Sequence, residues 1–255
     1  TLLLLAVLLI PLILQLPAPL QSDPDAFPTF IAGLGQLNQG DDILLAVEYD
    51  PGLAAELEGS AIGLLKWLEQ RQASVSLIST NPAGPALAEA LLQTTWSREA
   101  IQASSANLGY IAGGSTALAQ LATASLQQQL SLSDLAKRPL RLPEGWTVQP
   151  SFNQFKAIIL LTDNIETGRA WVEQISPALG ETPLLIISSA QAAPVLQAYI
   201  GAQVQSLMTG SSQTGTSRLA AYQFGMLFAA ILILFGGLVQ GLLLLFKHSQ
   251  KAQEG

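Results

Sequence analysis

Between Arg218 and Lys247 lie 28 residues without a charge, and their apolar part, Tyr222 to Phe246, reads YQFGMLFAAILILFGGLVQGLLLLF. A helix of that length exceeds the ~30 Å hydrocarbon core of a bilayer, so it can span one with some tilt. Soluble core helices rarely carry so long an apolar run. The sequence therefore predicts a transmembrane helix over residues 218–246. Whatever precedes it must fold on one side of a membrane.

The chain opens TLLLLAVLLIPLILQLPAPLQSD, with no charge before Asp23. No small-x-small cleavage site follows this run, which favours a retained anchor over a signal peptide. A first transmembrane helix is predicted over residues 1–16, with further chain expected ahead of Thr1. A membrane helix tolerates Pro11 where neighbouring groups satisfy the freed carbonyl. Pro17, Pro19, Pro24 and Pro28 predict an extended linker over residues 17–40. Residues 247–255 form a short tail carrying Lys247, His248 and Lys251 against Glu254. By the positive-inside tendency that tail is cytoplasmic. The expectation is a two-pass protein with both termini in the cytoplasm and the domain between them extracytoplasmic.

Only 11% of the residues are charged, against the roughly 25% of soluble domains. From Asp23 to Arg218 there are 17 acidic and nine basic residues, a balance of −8 that argues against nucleic acid as a partner. Membrane lipids and other membrane protein subunits are the partners expected instead. Cysteine is absent, which excludes a disulfide framework, a thiol nucleophile and a thiolate metal site. The single histidine, His248, follows the last apolar segment, so no His-based triad belongs to the middle domain. No cofactor is expected.

Residues 41–217 alternate short apolar runs with helical periodicity. Strands are predicted at Ile43 to Asp50, Ser74 to Thr80, Asn107 to Gly114 (a weaker run), Lys156 to Asp163, Pro183 to Ser189 and Val204 to Gly210. Helices are predicted at Ala54 to Gln72, Gly84 to Thr94, Ser115 to Ser125, Glu166 to Ile175 and Ala192 to Ile200. A long connection over residues 127–154 carries three prolines and has room for a short helix near Ser133 to Lys137. Continuously apolar strands alternating with helices call for a mainly parallel sheet covered on both faces. The expected fold is α/β, doubly wound, Rossmann-like or flavodoxin-like.

In such a sheet, ligands bind beyond the carboxyl ends of the strands. The candidate residues there are Asp50, Ser79, Thr80, Asn81, Asp163 and Ser188, with Gly113, Gly114, Thr162, Asn164 and Ser189 beside them. If the strands of Asp50 and Asp163 are neighbours, their carboxylates can hold Mg²⁺ through oxygen. The favoured reading makes each Asp a cap of the following helix, and no metal is assigned. STNPAGPALAE, from Ser79 to Glu89, and GGST, from Gly113 to Thr116, can present free helix N–H groups to phosphate. Neither matches a Walker loop or G-x-G-x-x-G, so structural turns are the better reading. The predicted C-terminal helix carries Gly225-x-x-x-Ala229 and Gly237-x-x-x-Gly241, small residues that let a second helix approach.

Two resemblances bear on function. EYDPG followed by LIST is similar to the haloacid dehalogenase-like phosphatases, whose first motif is Asp-x-Asp. Here Glu48 stands at the nucleophile's position, and the later acidic pair is missing. DPGLAAELEGSA, STNPAGPALAE, LGYIAGG, DNIETGRAWVEQI and QVQSLMTG resemble an uncharacterised family of two-pass membrane proteins of Chloroflexota bacteria. That resemblance implies topology and fold, and no site residues. The leading expectation is a non-enzymatic accessory or scaffolding subunit of a larger membrane complex. The alternative is a ligand-binding or phosphatase-like hydrolytic domain using the Asp50 and Asp163 strand ends.

Overall fold

The computed structural model describes residues 26–123 and 152–210, and helical residues at 13, 221, 224–233 and 235–237. By its internal contacts the chain divides into one unit at residues 22–215 and a second formed by both ends, 1–21 and 216–255.

In the first unit six strands form one sheet: β1 (Asp42–Glu48), β2 (Ser74–Ser79), β3 (Ser105–Tyr110), β4 (Ala157–Thr162), β5 (Leu184–Ser188) and β6 (Ser206–Thr209). Their order is β3-β2-β1-β4-β5-β6 and every neighbouring pair is parallel. This is the strand order of the doubly wound nucleotide-binding sheets, with its reversal point between β1 and β4. Both of those strands are buried along their whole length, which is why their interiors, Ile43 to Val47 and Ala157 to Leu161, read as unbroken apolar runs.

Alternation along each strand sends side chains into two separate cores. Ile43, Leu45, Val47, Val75, Leu77, Ile159 and Leu161 face one side. They pack under α1 (Ala26–Ala32), α2 (Ala54–Gln70), α3 (Gly84–Thr95) and α4 (Arg98–Ser104). Leu44, Ala46, Ile78, Ile158, Leu160 and Ile186 face the other. There the cover is α5 (Ser115–Thr123), α6 (Ile165–Ile175) and α7 (Ala193–Leu196). The predicted α/β sheet with helices on both faces is therefore present.

Several boundaries differ from expectation. Residues 17–40 are not extended throughout, because α1 is helical and buries Phe30, with Leu34 and Leu37 beyond its end. Pro28 falls in the first turn of α1, where a missing N–H costs no helical hydrogen bond. Phe27, Phe30, Ile31 and Leu34 recur at helical spacing, so the apolar stripe outweighs the prolines. Helix α4 was not expected; Ser97 caps it by accepting the Ala100 N–H at 3.1 Å. The last predicted domain helix, 192–200, is only α7 followed by a 3-10 turn at Gln197–Tyr199. β1 stops at Glu48, so Tyr49 and Asp50 stand on the loop beyond it.

Among the described residues, no helix is long and apolar enough to cross a membrane. In the second unit, residues 224–233 and 235–237 are helical, and Met226, Leu227, Ile231, Leu232, Ile233 and Phe235 are exposed along them. Gly225, Ala229 and Gly237 lie on this stretch, and a side-chain carbon added at Gly237 would meet open space. The predicted helix at 1–16 apart from Ile13, the tail at 247–255, the end of the predicted helix at 124–125, residues 127–151 of the long connection, and Gly241 lie outside the described residues.

Candidate functional site

Register brings the strand ends into line. Glu48 pairs with Thr162, and Thr162 with Ser188, so β1, β4 and β5 finish at one level. The loops beyond them meet at the reversal point, the position where this sheet type takes its ligands.

Asp163 follows β4 directly and is 9% exposed. Its Oδ2 accepts the backbone N–H of Asp50 at 2.9 Å, which ties the β4 end to the loop after β1. Asp50 is exposed, and its Oδ1 accepts from Asn81 Nδ2 at 3.0 Å. The same amide nitrogen donates to the Tyr49 carbonyl at 3.2 Å. Asn81 Oδ1 accepts the Ala83 N–H at 3.0 Å, shaping the turn into α3. Asp50, Asn81 and Asp163, chosen from three separate strand ends, thus form one connected cluster.

Neither Asp caps a helix, which corrects the favoured sequence reading. Asn164 is the cap of α6, accepting the Thr167 N–H at 3.0 Å. Asp50 precedes a 3-10 turn at Pro51–Leu53 and makes no side-chain cap bond. The β4 end places Asp163 toward β1, where a strand-end amide competes for its carboxylate.

Ser79 closes β2 and is fully buried. Its Oγ donates to the Val47 carbonyl at 2.6 Å and accepts the Asn81 N–H at 2.9 Å. A side-chain carbon on Gly84 would collide with that Ser79 Oγ and with the Val47 oxygen, so only glycine lets α3 start this close to the sheet. The Gly113 and Gly114 turn has φ of +122° and +54°, and its carbonyls accept the first amides of α5. Both stretches considered for phosphate are therefore turns in which glycine serves the backbone.

A second set of polar groups lies on the opposite face, under α6. Glu48 is 2% exposed, and its two oxygens accept the Thr80 N–H at 2.6 Å and the Thr80 hydroxyl at 2.9 Å. Burial pushes its carboxyl up to about 7, against the Thr80 hydrogen bonds that pull it down. The Trp171 indole N–H, from α6, also acts on this carboxylate while falling short of hydrogen-bond geometry. Ser188 Oγ, fully buried at the end of β5, has no partner. Sequence reading set Glu48 aside as a misplaced nucleophile; its signal was a lone charge inside ILLAVEY.

On the α2 face, Glu56 accepts the Ala190 N–H at 2.6 Å and so fastens the loop after β5. The Tyr49 phenol is buried, and burial, the Glu58 charge and the Asp163 charge all raise its proton affinity. Asp163 is raised as well, by burial first, while the Asp50 amide lowers it and the Asp50 charge adds to the rise. Among the described residues, no group of three or more acidic or histidine side chains is arranged to hold a metal ion. At the amino edge of the sheet, a separate cleft of about 830 Å³ is lined by Asp41, Asp42, Gln154, Lys156 and Glu181.

No protein-family model matches the chain, and no curated protein is similar to it. Among solved structures, the chain is similar to a hypothetical protein of Xanthomonas campestris at 16% identity, covering 84% of this chain and 96% of that one, with a TM-score of 0.28. A superposition that loose adds nothing to the fold or the site.

Proposed function

We propose that the chain is a non-enzymatic accessory subunit whose α/β domain is held at a membrane by apolar helices and docks on a larger membrane assembly. The observation that carries this reading is the engagement of the polar groups at the carboxyl edge with one another. Glu48 is held by Thr80, Asp50 by Asn81, Asp163 by the Asp50 amide and Glu56 by the Ala190 amide. Groups bonded in this way lock loops, and locked loops suit a recognition surface. Exposed apolar side chains along 224–237 and the uncharged run around them support the membrane part. The resemblance to two-pass proteins of the Chloroflexota supports the same topology, with the acidic domain on the extracytoplasmic side. Native mass spectrometry after gentle extraction tests the proposal. A heteromeric mass supports it, and a bare monomer or homodimer overturns it.

A second reading rests on the Asp50–Asp163 contact. The charge of Asp50 raises the proton affinity of Asp163, and a divalent cation relieves the same repulsion. Titration of Mg²⁺ against wild type and Asp163→Asn separates the two readings: saturable heat lost in the variant supports a cation site, and no heat removes it.

A further inference from the structure

We infer that Glu48, Thr80 and Trp171 form a proton-operated switch that sets the conformation of the loop carrying Asn81. Three observations on the geometry lead there. Glu48 closes a strand that is buried and apolar from Ile43 to Val47, with Asp42 the other charged residue at its far end. Both of its oxygens accept from Thr80, which joins β2 to the loop carrying Asn81, the residue that donates to Asp50. Beside it stands Trp171, fully buried on α6 with an indole N–H that has no acceptor. A buried donor without a partner is costly, and it demands an explanation.

The switch supplies one. An ionised Glu48 is an acceptor only, with room for more than two hydrogen bonds. It takes the Thr80 N–H and O–H, and drawing the Trp171 N–H into line compensates its burial. A protonated Glu48 becomes a donor at one oxygen; the Thr80 hydroxyl must then turn to accept, and the indole is released. Each state satisfies a different set of groups, and Thr80 moves with the proton. Asn81 follows Thr80 in the chain and grips Asp50, so the change reaches the Asp50–Asp163 cluster.

No charged side chain acts on Glu48 directly; burial raises it, and Thr80, Trp171 and the Asn81 amide pull it back down. The titratable residues on surrounding elements are Asp50 and Asp163 at the same edge, Glu56 on α2, and Glu166, Arg169 and Glu173 on α6. The three on α6 pair with each other in solvent, with side chains 43–82% exposed. The inference holds whether or not the domain docks on a partner.

The indole resonance of Trp171 reads the switch. The 255-residue chain in detergent micelles, labelled with ¹⁵N and assigned through Trp171→Phe, is titrated from about pH 5 to about pH 8.5. The expected result is a shift of the indole N–H with a midpoint near the Glu48 value of about 7. The Thr80 and Asn81 amides move at the same midpoint, and Glu48→Gln abolishes all three movements. Indole and amide signals that stay fixed across the range overturn the inference. So does a titration that persists unchanged in Glu48→Gln, since another group would then be its source. If Glu48→Gln fails to fold, Thr80→Val takes its place: losing one donor to the carboxylate must move the midpoint upward.

Discussion

A carboxyl whose proton affinity rises on folding makes the fold less stable as pH increases. Glu48 goes from an ordinary 4.5 to about 7, and Asp42, buried at the start of β1 with only the Ser76 hydroxyl and the Ile43 amide to offset burial, goes from 3.8 to about 6. The folded domain therefore holds protons that the unfolded chain has released, first on Asp42 and then on Glu48. Stability falls from about pH 4 upward and levels above about pH 7. The loss from Glu48 alone is on the order of 1–3 kcal/mol. Thermal melts in detergent between about pH 5 and about pH 8 should show a lower Tm at the higher pH. In Glu48→Gln, which mimics the protonated form, much of that slope should vanish and the Tm at neutral pH should rise. A flat wild-type profile would show that ionised Glu48 is better solvated than its burial implies.

Close approach makes a second residue-scale prediction. Gly84→Ala forces a carbon against Ser79 Oγ and the Val47 carbonyl, both fixed in the strand ends, and costs about 1–3 kcal/mol. Gly168→Ala meets only the end of the Leu196 side chain, which can rotate away, so its Tm should drop less. The comparison between the two variants is the measurement; equal losses would contradict the close packing of α3.

At the scale of elements, α1 belongs to the folded domain although it precedes the first strand. Phe30 is fully buried among side chains of the first core. Phe30→Ala should cost about 3–5 kcal/mol, in the range of buried aromatic truncations. Urea unfolding checks it, and a loss under about 1 kcal/mol would mean that α1 is peripheral. Helix α4 depends on a local device. Ser97→Ala removes the oxygen that accepts the Ala100 N–H and should cost about 1 kcal/mol, visible as faster amide exchange in α4. Both elements were legible in principle, α1 from its stripe of Phe27, Phe30, Ile31 and Leu34, and α4 from a Ser cap with Glu99 in the first turn. Prolines in the first case and a short run in the second hid them.

For the whole molecule, the periodicity of apolar residues sufficed to read a parallel α/β sheet with helices on both faces. That works because burial on both faces removes the polar alternation a half-exposed strand would show. Composition alone excluded thiol chemistry, since the sequence has no cysteine. It also located the uncharged run of 28 residues, from which membrane attachment is proposed. Strand order was out of reach, because every strand carries the same apolar signature. The tertiary structure put β4 beside β1, and only then did Asp163 meet Asp50, 113 positions earlier in the chain. It likewise decided that Asn164 and not Asp163 caps α6, and that Glu48 lies buried under Trp171 with Thr80 as its donor. Local pattern reports which side chains must leave water. Which of them then face one another depends on crossovers between distant strands, and those distances are not written in any short stretch of residues.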